Sequence, residues 1–378
     1  METHASHTSG IVVVKIGSST LTTSESSIDY AFIDALADQI ASVRELGFSP
    51  IIVTSAAIAC GLEALGIHKR PTDMPSLQAA ASVGQSALST AYAEAFARRG
   101  MLTSTVLLTR RDTADRTAYL HARDTLHRLV DLGVVPIVNE NDTVSVEQIR
   151  FGDNDTLAAL TAVLVGAGLV VILSDIDGLY DANPATHADA KLLSKVEVIG
   201  PEVIAMAGGV GSAVGSGGMV TKIKAAQVLM VAGIPMAICQ GRRPNVIVDA
   251  VRGCDVGTLF SPRRSPHDVS PKKLWLALGD ATRGSLVVDA GARRALVERG
   301  SSLLVVGVSE VEGRFEEGDI VDIKDASGHV FARGRVRAGS DEIELGLGRT
   351  RDYLRANHLL SHLADRSLVH RDELVVFE

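Results

Sequence analysis

The sequence predicts an α/β protein with a mostly parallel central sheet flanked by helices, followed by a smaller β-rich domain. Three observations carry this expectation. Through roughly the first 260 residues, apolar β-branched runs alternate with segments of helical periodicity, the pattern of parallel strands joined by crossover helices. Around Ser261 to Lys273 the text changes to SPRRSPHDVSPKK, and short alternating strands follow it. A chain of 378 residues is also long for one compact core, so one large and one small domain is the natural division.

Taken in order, Ile11 to Ile16 is a β-branched run that ends at Gly17. Ile33, Leu36, Ile40 and Val43 then stand at helical spacing before Gly47, which marks an amphipathic helix and its stop. Ile51 to Thr54 returns as a strand, and the cycle repeats with Thr105 to Leu108, a helix through Leu126 and Leu129, Val134 to Val138, a helix after Asp155, and Leu169 to Leu173. Strand ends fall beside Gly17, Ser55, Asn139 and Ser174. In open parallel sheets ligands bind outside the carboxyl ends of the strands, so these positions should converge on one crevice. Beyond a linker over 263–280, Ser285 to Val288, Ile320 to Ile323 and Arg335 to Arg337 read as strands of a small barrel, with one helical stretch at Ala292 to Arg299.

Composition narrows the classes of function. No uncharged apolar run approaches the ~20 residues that span a bilayer. Residues 1–10 are polar and lack the basic flank and apolar stretch of a secretory signal, so a disordered tail and a cytoplasmic protein are expected. Cys60, Cys239 and Cys254 form no close pair and read as reduced, structural residues. A net charge of −8 opposes nonspecific binding to polyanions.

Five stretches carry candidate chemistry. Lys15-Ile16-Gly17-Ser18-Ser19 closes a strand with a lysine and a small-residue turn, which can set a positive charge and backbone N–H groups against phosphate. It is neither a Walker A sequence nor a GxGxxG fingerprint, and a lysine at a strand end is often only a solvated edge charge. Val53 to Gly61 enters a helix through small residues; Ser55 can cap that helix or face a carboxylate or phosphate. Asn139-Glu140-Asn141-Asp142 and Gly152-Asp153-Asn154-Asp155 suit turns, yet together they crowd polar groups beyond a strand end, as functional loops do. Ser174-Asp175-Ile176-Asp177-Gly178 opens a buried strand into an acidic turn. Gly215 to Lys222, GSGGMVTK, leads into a helix and allows close backbone approach to a phosphate chain.

In this order, KIGSS, VTSAAIACG, VNENDTV, FGDNDTLAAL, LSDIDGLY and GSGGMVTK resemble the amino-acid kinase superfamily over about residues 11–262, and within it the glutamate 5-kinase family. The stretch LVVDAGARRALVERGSSLLVVGV resembles the start of a PUA domain, placed at 281–378. The resemblance implies an amino-acid kinase fold with a PUA pseudo-barrel. It also implies transfer of the γ-phosphoryl group of ATP to the γ-carboxylate of L-glutamate, the first step of proline biosynthesis, with Mg2+ on the ATP phosphates. Lys15 and Lys222 match the family's phosphate-contacting lysines, and Asp155 matches the acid that orients them. Ser55, Asp142 and Asn154 match glutamate-binding positions, with Asp142 suited to the substrate ammonium. Ser174, Asp175, Ser216, Gly217, Gly218, Met219, Val220, Thr221 and Lys222 match nucleotide contacts. A homo-oligomer and inhibition by proline are implied as well.

Two departures stand out. Ala56 occupies a position where the family usually has glycine, and His121 one where many members have asparagine. The competing reading is an RNA-binding or RNA-modifying protein that uses the PUA domain. Residues 281–378 hold 14 Lys and Arg against 17 Asp and Glu, a net −3, which is a poor start for a phosphate-binding surface. Arg333, Arg335 and Arg337 remain the candidate for a local basic stripe.

Overall fold

A computed structural model describes residues 10–23, 27–109, 115–144, 154–184, 186–208, 218–262, 273, 282–358 and 360–377. The expected tail apart from Gly10, most of the expected linker, Gly152 and Asp153, and Ser216 and Gly217 lie outside the described residues. The chain divides into two compact units, Met1–Ser265 and Pro266–Glu378.

In the first unit β1 (Ile11–Ile16), β2 (Ser49–Val53), β3 (Thr103–Leu108), β4 (Val135–Glu140), β5 (Leu169–Ser174), β6 (Lys195–Val196), β7 (Met236–Gln240) and β8 (Gly257–Phe260) form one sheet. Its order is β3-β4-β2-β1-β5-β7-β8-β6. All pairings are parallel except that of β7 with β8. Every residue of β1, β4 and β5 is buried, as the near-continuous apolar character of doubly covered parallel strands requires. The chain leaves β1 toward β2 on one side and later returns to β5 on the other, so the carboxyl end of β1 lies at a switch in strand order, where such sheets open a crevice.

The crossover helices are α1 (Ser18–Leu21), α2 (Tyr30–Glu45), α3 (Ala57–Ala64), α4 (Met74–Ala97), α5 (Arg116–Asp131), α6 (Asn154–Val165), α7 (Pro201–Met206), α8 (Met219–Val231) and α9 (Val246–Val251). One face of the sheet buries Val12, Val14 and Ile16 against Ile33, Leu36 and Ile40 of α2 and Tyr92 and Phe96 of α4. The expected elements recur with small shifts. β4 runs on through Asn139 and Glu140, both buried, where the sequence put the strand end beside Asn139.

No element was expected at α4. The Asp73 carboxylate caps it by accepting from the Ser76 N–H at 2.9 Å, and Pro75 sits in its first turn. Its inward face is largely small residues, which lets it lie backbone to backbone on α3. A Cβ added to Gly61 would stand 1.7 Å from the Ala80 carbonyl oxygen, and one added to Gly84 would stand 1.8 Å from that of Ala57.

The capping role considered for Ser55 is not what the structure shows. The N-cap position of α3 is Ala56, which has φ 70° and ψ 10° and makes no side-chain cap bond. The chain therefore enters the helix through a left-handed residue, and Ser55 falls one position too early to cap it. Its side chain is buried. Cys60 and Cys239 are buried and burial pushes each thiol up to about 12, as structural residues require; Cys254 is exposed and does not fit that reading.

In the second unit β9 (Gly284–Val288), β10 (Val308–Gly313), β11 (Ile320–Lys324), β12 (Val330–Val336) and β13 (Val369–Val376) form a sheet of order β10-β9-β11-β12-β13. Only β9 and β11 pair in parallel. Its own core contains Leu286, Val321, Ile323, Phe331 and Ile343. β12 begins well before the expected Arg335, and the candidate basic stripe on it is largely neutralised. Arg333 Nε lies 2.9 Å from Asp322 and Arg337 lies 3.1 Å from Glu373. Among the described residues no helix is long and apolar enough to cross a membrane.

Candidate active site

Three charged side chains meet at the carboxyl end of β1. Lys15 is the penultimate residue of that strand, Asp155 lies in the first turn of α6, and Lys222 in the first turn of α8. Lys15 Nζ is 2.6 Å from Asp155 Oδ1, and Lys222 Nζ is 3.2 Å from Asp155 Oδ2. Thr221 Oγ1 also donates to Asp155 Oδ2 at 2.8 Å. Exposure is 5% for Lys15, 0% for Asp155 and 4% for Lys222, so these charges exist in the interior only because they answer one another. Burial by itself would raise the Asp155 carboxyl. The Lys15 and Lys222 charges, with hydrogen bonds from Lys15 and Thr221, overcome it and hold the group below its usual range.

Around this trio the nucleotide-matching positions are distributed as follows. Gly218 is the N-cap of α8 without a side-chain cap, so the Met219 and Val220 N–H groups form an anion-seeking end, while the Thr221 N–H donates to the Gly218 carbonyl at 3.2 Å. Met219, Val220, Thr221 and Lys222 form its first turn. Ser174, at the end of β5, is buried, and its hydroxyl donates to Asp175 Oδ1 at 3.1 Å; the Asp175 side chain is exposed. Gln240, ending the neighbouring β7, donates to the Asp175 carbonyl at 2.9 Å and so fixes that turn.

The glutamate-matching positions gather at the ends of β2 and β4. Asn154, one residue before Asp155, donates through Nδ2 to the Thr54 carbonyl at 2.6 Å and to Asn139 Oδ1 at 2.9 Å. Asn139 in turn donates to Gln85 Oε1 at 2.8 Å. Thr54 is also held from its side chain, its hydroxyl 2.9 Å from that of the fully buried Tyr92. Asp142 lies beyond β4 in a turn where burial pushes its carboxyl up to about 6. It lines a cavity of about 320 Å³ that is also bordered by Gln85, Ser89, Thr105 and Glu140. The sequence reading missed Gln85 and Tyr92 altogether. Among the described residues no cluster of His, Cys, Asp and Glu is arranged to hold a metal ion.

Comparison with known proteins covers both units. Residues 10–240 match the amino acid kinase family, and residues 284–354 match the PUA domain. A glutamate 5-kinase of Syntrophotalea carbinolica is 43% identical over 97% of this chain and 96% of its own length. One from Trichlorobacter lovleyi is 44% identical over the same shares. Among solved structures, a UMP kinase from Ureaplasma parvum is similar with a TM-score of 0.47 and 17% identity, over 67% of this chain and 99% of its own.

Proposed function

The chain belongs to the amino acid kinase family, and from that premise we propose that it transfers the γ-phosphoryl group of ATP to the γ-carboxylate of L-glutamate, giving L-glutamyl 5-phosphate for proline biosynthesis. The observation that carries the reading is Asp155 held between Lys15 and Lys222 at the carboxyl end of the sheet, in a chain similar along nearly its whole length to glutamate 5-kinases.

A carboxylate acceptor is already ionised at neutral pH, so no general base is needed. The task is to bring two anions into line and offset the charge of the group in transit. Lys15 and Lys222 supply that charge. With Asp155 the trio carries a net +1, and Asp155 keeps both ammonium groups at fixed positions before any phosphate arrives. The N-terminal turn of α8, from Gly218 to Lys222, and the Ser174–Asp175 turn take the nucleotide; Ser216 and Gly217 are assigned to it by resemblance alone. Mg2+ suits this site as a partner of the phosphate oxygens, where it adds charge neutralisation, and no protein ligand is assigned to it.

On the acceptor side, Ser55, Asp142 and Asn154 hold glutamate. A carboxyl raised by burial is returned to its ionised form by an arriving ammonium, which gives Asp142 a reason to be buried as it is. The same reading includes a cytoplasmic homo-oligomer inhibited by proline. Its test is ATP consumption with glutamate, aspartate, carbamate and UMP offered separately. Turnover confined to glutamate is expected, and turnover with another acceptor only would overturn the assignment.

A further inference from the structure

The amide groups beside Asn154 form a chain with one direction. The Thr54 carbonyl is only an acceptor, so the Asn154 amide must present its nitrogen there, at 2.6 Å. The second hydrogen on that nitrogen goes to Asn139 Oδ1 at 2.9 Å, which turns Asn139 Nδ2 toward Gln85 Oε1 at 2.8 Å. That contact orients Gln85 Nε2 toward the Ser89 hydroxyl at 3.3 Å, which lies 2.9 Å from the Thr105 hydroxyl. One backbone carbonyl thus sets the polarity of a run of side chains from β2 to β3.

With both hydrogens of its amide spent inward, Asn154 has only the acceptor Oδ1 left to offer a ligand. An acceptor cannot bind a carboxylate oxygen, but it suits an ammonium. Gln85 holds this arrangement from outside, and it is itself held. Gly84, its neighbour in α4, packs so closely on α3 that an added Cβ would stand 1.8 Å from the Ala57 carbonyl oxygen. Resting on the functional reading above, we propose that Gln85 is a positioning residue for the amino-acid acceptor. By accepting from Asn139 it anchors the outer end of the run whose polarity the Thr54 carbonyl sets, and so holds Asn139 and Asn154 in the position where Asn154 meets the substrate's α-ammonium with an oxygen.

Steady-state kinetics of Gln85→Leu and Gln85→Glu test this, with glutamate and with glutarate, which has both carboxylates and no amine. Gln85→Leu leaves the Asn139 N–H groups without their acceptor, a loss of about one hydrogen bond. The Michaelis constant for glutamate should rise about tenfold, while turnover and the Michaelis constant for ATP change less than about twofold. The preference of glutamate over glutarate should narrow by a similar factor. Gln85→Glu keeps an oxygen toward Asn139 and should restore most of the glutamate affinity. An unchanged Michaelis constant in a folded Gln85→Leu protein would overturn the assignment, as would an equal rise for glutamate and glutarate or a failure of Gln85→Glu to rescue. Where Gln85→Leu does not fold, a Gln85→Glu protein with the full tenfold loss refutes it equally well. Wild-type protein that consumes no ATP with glutamate would instead remove the functional reading, and this inference with it.

Discussion

Two carboxylates at the same end of the sheet are driven in opposite directions. Asp155 is fully buried, yet two lysines hold it ionised; Asp142 is only partly covered, and burial pushes it up to about 6. The difference separates the two halves of the site. The phosphate half is organised without ligand, because Asp155 fixes both lysines in place and leaves a net +1 for phosphate. Among the described residues no cation answers Asp142 in the acceptor half, and the amine of an amino acid is one that fits. Preorganised charge suits a group whose stabilisation matters in transit, whereas a carboxylate raised by burial suits recognition of a ground-state cation.

The largest effect should come from breaking the phosphate half. Asp155→Ala would leave two buried ammonium groups without their shared partner, a loss of about 3–5 kcal/mol for a broken buried pair. Lys222→Ala and Lys15→Ala should lower turnover by about 10²–10³-fold while the Michaelis constant for glutamate moves far less. Near-normal turnover in either lysine variant would remove that lysine from the reaction. A weaker acid dependence belongs here too. Because the Asp155 value is depressed on folding, its stabilisation is present above the unfolded value near 3.8 and is lost as pH falls through the lower folded value.

Next in size is Gly84→Ala, which should damage the acceptor half selectively. The new methyl would meet the Ala57 carbonyl in the α3 and α4 contact, and overpacking of this kind costs about 1–3 kcal/mol. Displacing α4 moves Gln85, so glutamate affinity should fall while the Michaelis constant for ATP holds. Equal losses for both substrates would mean that α4 supports the whole sheet rather than the acceptor half.

These two halves differed in how far the sequence disclosed them. Lys15, Asp155 and Lys222 are charged residues beside strand ends and glycine-rich turns, and charge at such places is visible in one dimension. The amide chain is not. Gln85 and Asn139 are far apart in the chain, and α4 is written largely in alanine and serine, which blur the 3.6-residue pattern that marks a helix. Serine favours the cap position, so Ser55 reads as a cap, but propensity does not show that the turn passes through a left-handed residue first. The strands that the sequence discloses, β1 to β5, β9, β11 and β12, stand out as apolar, largely β-branched runs, and most shifts in their ends are small; β12 is the exception, since its first half carries little of that pattern, and β6, β7, β8, β10 and β13 are not singled out.

A finer test of the comparison is Asp142→Asn. The folded carboxyl titrates at about 6 against a reference of 3.8. The folded state therefore holds its proton more tightly, and the ionised group costs stability progressively as pH rises from about 4 to 6. At pH 8 the Asp142→Asn substitution should make the ligand-free protein more stable by up to about 3 kcal/mol, and at pH 4 it should change little. Glutamate affinity should fall in the same variant. Thermal melts at the two pH values decide it: a variant less stable at pH 8 would mean that Asp142 already has a stabilising partner. In the wild type the Michaelis constant for glutamate should fall as pH rises through 6.

The smallest effect concerns Ala56, and it sharpens the acceptor half rather than breaking it. Its φ of 70° puts an L-residue with a Cβ in the left-handed region, at a cost of about 1–2 kcal/mol that glycine avoids. Against this, the Ala56 methyl is partly buried on the core cluster of the sheet, worth about 0.8 kcal/mol. Glycine also adds freedom to the unfolded chain, worth about 0.5–1 kcal/mol. These terms nearly cancel, so Ala56→Gly should leave the melting temperature within a few degrees. Kinetics then report on fit alone. If the methyl keeps the backbone after Ser55 from closing on glutamate, Ala56→Gly lowers the Michaelis constant for glutamate about two- to threefold with turnover unchanged. An unchanged or raised constant at equal stability would show that the left-handed turn has the same shape with either residue, and that the methyl serves only the core.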